Sequence, residues 1–244
     1  MADQSVRKGG LGAIRRNQSV NGRPEFFDTL VDIVFVIDGT GSMQNLLDEV
    51  KERALSMHQE IIEGLANKNR RVSKMRVKVL IFRDIYVDTN AFEESPFYTL
   101  PEEAEEFRRF VEHIRASGGG DEPESGLEAL YKAMKVRFQE NRGNNKARQI
   151  IIVMTDASAH RLDDPQREGD DVYPQEIPKT MAELQNVWES VNKTARRLLV
   201  MAPNAWPWTA VSLWNEAECL VAPAGCGISR DGLDAVIKFI SGSI

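Results

Sequence analysis

Hydrophobic residues along the chain form several short, nearly continuous runs, and these runs predict buried β-strands. The first run extends from Val31 to Ile37 and consists of β-branched and aromatic residues, except at Asp32. Such a run is typical of a strand that is covered on both faces of a parallel sheet. Comparable runs predict strands at 75–83, 149–155, 197–201 and 219–222, with a short additional strand at 96–100.

Between these runs, apolar residues recur at intervals of three and four, which is the spacing of an amphipathic helix. This spacing predicts a long helix over residues 45–68. Apolar spacing and helix-start signals such as Pro101 before two glutamates predict further helices at 101–115, 125–139, 179–195, 208–218 and 231–240. Strands that alternate with helices predict an α/β fold with a single doubly wound, mainly parallel sheet and helices on both faces.

The predicted domain occupies residues 29–244, and residues 1–28, which lack hydrophobic periodicity, are predicted to be a flexible basic arm. Residues 1–24 carry five basic residues and one acidic residue, whereas the whole chain has a net charge of −6. The arm could contact an acidic partner or remain a solvated tail. The acidity of the remaining chain argues against general nucleic-acid binding, because attraction to phosphates needs a basic surface.

The cysteine content and the absence of long apolar runs predict a cytoplasmic protein. Cys219 and Cys226 are the only cysteines, which is too few for a disulfide framework. No secretory segment is recognisable, and no apolar run approaches the roughly 20 residues that span a bilayer. We therefore expect reduced thiols and no membrane association.

Side chains that carry oxygen follow the first predicted strand directly. Asp38, Thr40 and Ser42 occupy alternate positions, so an extended turn directs them to one side, and the intervening glycines let the backbone curve around them. Carboxylate and hydroxyl oxygens suit Mg²⁺, Mn²⁺ or Ca²⁺ better than Zn²⁺. The alternative is structural, with Asp38 as a helix cap and the two hydroxyls in local turn hydrogen bonds.

Two further carboxylates fall where they could join this site. Asp156 follows the strand predicted at 149–155, and ligands of such sheets bind at the carboxyl ends of the strands. Asp121 follows three glycines, which can bring it close to a neighbouring loop. Asp121 or Glu124 could instead cap the helix that follows.

These motifs resemble the metal-ion-dependent adhesion site of von Willebrand factor A domains and integrin I domains. The family pattern is Asp-x-Ser/Thr-x-Ser after the first strand, a glycine-rich loop with one ligand, and Thr-Asp after a later strand. The resemblance covers the chain from about residue 30 to its end and implies the same Rossmann-like fold. It implies a cofactor, Mg²⁺ with Mn²⁺ or Ca²⁺ as alternatives, and these metal ligands: Asp38, Thr40, Ser42, Asp121 and Asp156.

Asp121 stands where many family members have threonine. The Gly-Gly-Gly-Asp sequence is similar to that of intracellular-type members, as is Thr-Asp-Ala followed by a nearby histidine, here His160. Three carboxylates would give the protein more negative charge than the cation has positive charge. We therefore expect the metal to be held without a partner, and a partner's carboxylate to gain less than at a threonine-containing site.

The resemblance implies a divalent-metal-dependent protein–protein interaction module, a non-enzymatic adaptor within an intracellular assembly. An Asp or Glu carboxylate of the partner protein would complete the metal coordination. The partner-binding candidates near this edge are Trp206, Trp208 and His160, since tryptophan is frequent in interface hot spots. The tryptophans could instead pack against the adjacent helix, and His160 could simply be solvated. The acidic connection at 157–178 is either a flexible flap near the metal or a solvated loop.

Two other function classes remain as alternatives. A metal-independent scaffold domain would keep the fold and bind a partner through its loops. A haloacid dehalogenase-like phosphohydrolase has an aspartate nucleophile, but this chain has Val36 at the required position. The sequence also lacks a phosphate-binding Gly-Lys-Ser/Thr and a Gly-x-Ser-x-Gly nucleophile elbow, so we expect no enzymatic activity.

Overall fold

The computed structural model describes residues 28–53, 56–66, 71–119, 122–143, 145–167, 173–228 and 230–244. The strands in these ranges are β1 (Asp28–Asp38), β2 (Arg71–Phe82), β3 (Phe92–Glu94), β4 (Tyr98–Leu100), β5 (Lys146–Met154), β6 (Arg196–Ala202) and β7 (Ala217–Val221). They form one sheet in the order β3-β2-β1-β5-β6-β7, with β4 also paired to β2. The five longer strands run parallel, and β3 and β4 are antiparallel to β2.

The helices cover both faces of the sheet. They are α1 (Gln44–Arg53), α2 (Met57–Ala66), α3 (Ala104–His113), α4 (Gly126–Met134), α5 (Met181–Ser190), α6 (Trp208–Val211) and α7 (Arg230–Ser243). Ile33, Phe35 and Ile37 of β1 pack with α1, α2, α3 and α7, whereas the alternate residues Val34 and Val36 pack with α4, α5 and α6. The predicted fold class is therefore confirmed. In the described part of the chain, no helix combines the length and the apolar character needed to cross a membrane.

Several predicted elements differ in extent from the observed ones. The helix predicted at 45–68 consists of α1 and α2, and the helix predicted at 125–139 ends at Met134. The strand β3 was not predicted, and residues 1–27 of the predicted arm lie outside the described residues.

The helix predicted at 208–218 is wrong, because α6 ends at Val211. The chain must reach the edge of the sheet here, where Ala217 pairs with Leu198 of β6. It does so through Glu216, whose φ of 62° is incompatible with a helix. Trp214, which the apolar spacing assigned to a helix, packs in the core from a turn.

The polar residue within the first hydrophobic run is a buried ion-pair partner. The carboxylate of Asp32 is fully buried and accepts two hydrogen bonds from the Arg76 guanidinium, at 2.8 and 2.7 Å. It accepts two more from the backbone and side-chain amides of Gln139, at 2.6 and 2.7 Å. Four donors satisfy the charge that burial would otherwise penalise.

A second buried carboxylate, Glu128 on α4, is less well satisfied. Its Oε1 accepts a 2.7 Å hydrogen bond from the Tyr173 hydroxyl, whereas its Oε2 has no hydrogen-bond partner among the described residues. Burial is the main cause that raises the pKa of Glu128 from its usual 4.5 to about 7. The folded protein therefore binds a proton here more tightly than the unfolded chain does.

Glu128 is expected to make the folded state less stable as the pH rises. The stabilisation from this proton is fully present below about pH 4.5, the pKa of an unfolded glutamate, and is lost as the pH rises through about 7. Relative to Glu128→Gln, which keeps an acceptor for Tyr173 but cannot ionise, the free energy of unfolding should fall by about 3 kcal/mol across this window. Urea unfolding of both proteins at pH 5 and pH 8 measures the difference. Parallel pH profiles would show that Glu128 does not titrate there.

Candidate metal centre

The sheet brings the first predicted ligand and the last one to the same edge. The strands β1 and β5 are parallel neighbours, and Ile37 pairs with Met154. Asp38, at the end of β1, therefore lies beside Thr155 and Asp156, which follow β5. The strand order, and not proximity in the sequence, brings the two aspartates together, since 118 positions separate them.

Asp38 is held by hydroxyl groups from both loops. Its Oδ1 accepts hydrogen bonds from the backbone amide and the hydroxyl of Thr40, at 2.9 and 2.6 Å. Its Oδ2 accepts a 2.6 Å bond from the Thr155 hydroxyl. Burial, the largest effect, raises the pKa of Asp38 against the opposing influence of these hydrogen bonds, and the nearby Asp156 carboxylate raises it further. A cation beside this carboxylate would favour its ionised form.

Ser42 and Asp156 extend this arrangement across the edge of the sheet. The Ser42 hydroxyl donates to Asp156 Oδ1 at 2.9 Å, and its oxygen lies 3.4 Å from the Thr40 hydroxyl oxygen. The Gly227 amide, in the loop after β7, donates to Asp156 Oδ2 at 2.6 Å. The structure therefore brings together four of the five predicted ligands, and Asp121 lies outside the described residues.

The glycine-rich segment before residue 120 lies directly against the first loop. The Gly41 amide donates to the Gly118 carbonyl at 3.2 Å, and the Ser117 amide donates to the Gly39 carbonyl at 2.9 Å. Gly119 has a φ of +72°, and a Cβ at this position would lie 2.7 Å from the Thr40 Cβ. Both the backbone conformation and the close approach therefore require glycine.

A cavity of about 210 Å³ opens over these residues. Its lining includes Thr40, Ser42 and Asp156 together with two carboxylates that the sequence did not assign to the site, Glu122 and Glu124. Glu122 Oε2 accepts hydrogen bonds from the amide and the hydroxyl of Ser158, at 3.2 and 2.9 Å. The sequence signal for both was their position shortly after the glycine run that ends at Gly120.

The donor atoms at this edge fit a hard divalent cation. The described residues that line the cavity provide hydroxyl and carboxylate oxygens and no cysteine or histidine side chain, and such oxygens suit Mg²⁺, Mn²⁺ or Ca²⁺. Among the described residues, no group of three or more carboxylate, imidazole or thiolate side chains is placed to hold a metal. The four predicted ligands that the structure describes therefore combine two carboxylates, Asp38 and Asp156, with two hydroxyls, Thr40 and Ser42.

The three partner-binding candidates occupy different environments. Trp206 is 39% exposed, and the guanidinium of Arg161 lies 5.4 Å from the centre of its ring. Trp208 is buried, and its Nε1 donates to the Ala157 carbonyl at 2.9 Å. His160 is also buried, with Nε2 3.0 Å from an Asp84 carboxylate oxygen. Only Trp206 of the three presents an aromatic surface to solvent.

The described parts of the acidic connection after β5 are held by hydrogen bonds within the connection and by others to the rest of the domain. The buried Arg167 guanidinium donates to the carbonyls of Leu162 and Pro178, at 3.0 and 2.6 Å. The backbone of Glu124 pairs with this connection as well, through Ser158 and His160. Residues 168–172 lie outside the described residues, so the prediction of a flap near the metal stays a prediction.

Comparisons with known proteins agree with this architecture. The sequence model of the von Willebrand factor A domain matches residues 32–168. The chain is 30% identical over 132 residues to the alpha-protein kinase vwkA of Dictyostelium discoideum, which covers 53% of this chain and 19% of that protein. It is 28% identical over 131 residues to the ariadne-like RING finger protein R811 of Acanthamoeba polyphaga mimivirus, over 54% of this chain and 11% of that protein.

A solved structure shows the same fold in a distant protein. The pilus adhesin SpaC from Lactobacillus rhamnosus GG superposes with a TM-score of 0.51 and 12% sequence identity. The superposition covers 88% of this chain and 30% of the adhesin. In each of these comparisons the chain spans less than a third of the other protein's length.

Proposed function

Because this chain belongs to the von Willebrand factor A domain family, whose members commonly act as protein-interaction modules, we propose that it is a divalent-metal-dependent protein-binding adaptor of the cytoplasm. The observation that carries the proposal is the grouping of Asp38, Thr40, Ser42 and Asp156 at one edge of the sheet, where each hydroxyl donates to a carboxylate and the two hydroxyl oxygens lie 3.4 Å apart. Thr40, Ser42 and Asp156 line an open cavity, and Asp38 is buried beside Thr40. A purely structural cluster would not require an opening to solvent.

Each residue has a defined part in the proposed site. Thr40 and Ser42 provide hydroxyl oxygens, and Asp38 and Asp156 provide negative charge. The Thr155 hydroxyl orients Asp38 through a hydrogen bond to its Oδ2, and the Gly227 amide orients Asp156 in the same way. When bound, a Mg²⁺ ion supplies a positive centre that attracts an oxygen ligand. In the proposal that ligand is an Asp or Glu carboxylate of the partner protein, and Asp121 is a fifth residue of the site.

The surroundings of the site support binding without catalysis. The Ser42 hydroxyl donates a hydrogen bond to Asp156, and His160 faces Asp84. Ser42 and His160 therefore do not form a nucleophile–base pair. Val36 stands at the position of the aspartate nucleophile in haloacid dehalogenase-like enzymes. It is buried in the core and has no nucleophilic group. One relative is named a kinase, but the match covers only 19% of that protein, so the name does not indicate kinase activity in this chain.

Divalent metal is expected to stabilise the protein against heat, and replacement of the proposed metal-binding residues is expected to abolish this stabilisation. A ligand that binds only the folded state at about 100 times its Kd adds about 2.7 kcal/mol. Thermal melts in EDTA and in saturating Mg²⁺, Mn²⁺ or Ca²⁺ measure this stabilisation. It should be absent in Asp38→Ala and in Ser42→Ala, where the smaller change leaves the core intact.

The matched control is Asp28→Ala, which removes an exposed carboxylate at the start of β1, at the opposite end of the strand from Asp38. This variant should respond to metal as the wild type does. Identical melts of the wild-type protein in EDTA and in metal would leave the metal-independent scaffold as the better explanation. If metal stabilises the protein, capture of partner proteins in Mg²⁺ but not in EDTA is the next test of the adaptor role.

A further inference from the structure

A single buried guanidinium donates hydrogen bonds to three backbone carbonyls beside the proposed metal site. Arg83 directly follows β2 and is only 6% exposed. Its Nε donates to the Ser117 carbonyl at 3.1 Å, and its Nη2 donates to the Arg115 carbonyl at 2.7 Å. Its Nη1 lies 3.3 Å from the Asn90 carbonyl oxygen, to which it donates. Its hydrogen bonds to described residues therefore all end on backbone carbonyls.

The same guanidinium lies against the first loop of the site. A Cβ at Gly39 would lie 3.0 Å from both Cζ and Nη2 of Arg83. The Gly39 carbonyl accepts the hydrogen bond from the Ser117 amide. Arg83 therefore fills the space between the loop that carries Asp38 and the segment that carries Ser117. From Ser117 the chain continues to Gly118, which bonds Gly41, and to Gly119, which contacts Thr40.

We propose that Arg83 is a positioning residue, which sets segment 115–119 against the first loop before a cation binds. Its effect on metal affinity rests on the proposed function, whereas its effect on the two loops does not. A guanidinium is suited to this task because its donors lie in one plane and can reach several carbonyls at once. A lysine ammonium in the same place is a single point with three donors and cannot span them in this way.

Charge and positioning predict opposite results when Arg83 is replaced. A buried positive charge near a cation site repels the cation, so its removal by itself would tighten metal binding. Loss of positioning would weaken metal binding, because Thr40 and the segment leading to Asp121 would no longer be held together. Removing groups that orient metal ligands typically costs 10-fold to 100-fold in affinity. The sign of the change in affinity therefore separates the two effects.

The test compares Arg83→Met and Arg83→Lys with the wild type. Titration with Mn²⁺, followed by the electron paramagnetic resonance signal of the free ion, is expected to show about a tenfold loss of affinity in both variants. Amide hydrogen exchange in EDTA is expected to be faster at Ser117 and Gly41, the two donors that connect the segment to the first loop. Arg83→Lys keeps the charge, so it also serves if Arg83→Met does not fold.

Arg76→Met is the matched control. It removes another arginine of the same strand region, whose partner is Asp32, and should lower stability without changing Mn²⁺ affinity. Unchanged or tighter Mn²⁺ binding in Arg83→Met would overturn the proposal, as would unchanged exchange at Ser117 and Gly41. If the wild-type protein does not bind Mn²⁺, the proposed function fails, and the exchange rates in EDTA alone decide whether Arg83 positions the segment.

Discussion

Alanine at Asp32 is expected to lower the free energy of unfolding by about 3–5 kcal/mol, the loss typical of breaking a buried ion pair from one side. The replacement removes the acceptor of four hydrogen bonds from Arg76 and Gln139. The Arg76 guanidinium and the two amide groups of Gln139 would then lack this hydrogen-bond acceptor inside the folded protein. Equilibrium unfolding in urea measures the loss.

Asp28→Ala is the matched control for this prediction. Asp28 begins the same strand and also faces an arginine of β2, but its pair with Arg71 is exposed and has a distance of 3.7 Å. Exposed pairs contribute about 0–1 kcal/mol, so this variant should be nearly as stable as the wild type. Similar losses in the two variants would show that burial and the additional donors do not distinguish Asp32.

Trp208→Ala is expected to cost a similar amount, about 3–5 kcal/mol, because it removes a large buried side chain from the core. The ring of Trp208 packs against Gly126 of α4 and belongs to the same core as Val36 and Leu80. Its Nε1 also supports the loop after β5 through the Ala157 carbonyl. The loss can be measured by urea unfolding, together with the affinity for Mn²⁺.

Two replacements separate the contributions of Trp208. Trp208→Phe keeps most of the aromatic packing but leaves the Ala157 carbonyl without its donor, so a loss of about 1–3 kcal/mol is expected. Trp206→Ala changes an exposed tryptophan two residues earlier and should alter stability by about 0.5 kcal/mol or less. A Trp206 variant as unstable as Trp208→Ala would contradict the structural distinction between the two residues.

The sequence was sufficient to predict the fold because its strongest signals are local. The hydrophobic run of β1 and the alternation of strands with helices require only neighbouring residues to be recognised. The end of α6 at Val211 could not be predicted in this way, because the pairing of Ala217 with Leu198 decides it. Asp32 appeared as an interruption of a strand because its partners, Arg76 and Gln139, are distant in the sequence.

The candidate site was predictable where side-chain chemistry and strand ends coincide. Asp38, Thr40, Ser42 and Asp156 meet this condition, and the structure places them together. The roles of Gly227 and Arg83 were not predictable, since a backbone amide has no side-chain signal and a guanidinium bonded to carbonyls has no charged partner to suggest its place. Trp206 and Trp208, two positions apart, differ in burial because Trp208 packs in the core and Trp206 is partly exposed to solvent, which their spacing did not reveal.

The hydrogen bond from Gly227 to Asp156 has a consequence for shortened forms of this chain. A chain that stopped after residue 168 would retain every residue matched by the family and all five predicted ligands. It would lose the Gly227 amide together with β6 and β7, and β5 would become an open edge carrying Ile150, Ile151, Ile152 and Val153. Exposed hydrophobic edge strands promote aggregation. Fragments chosen by family boundaries should therefore precipitate, whereas chains that keep residues 169–244 should stay in solution.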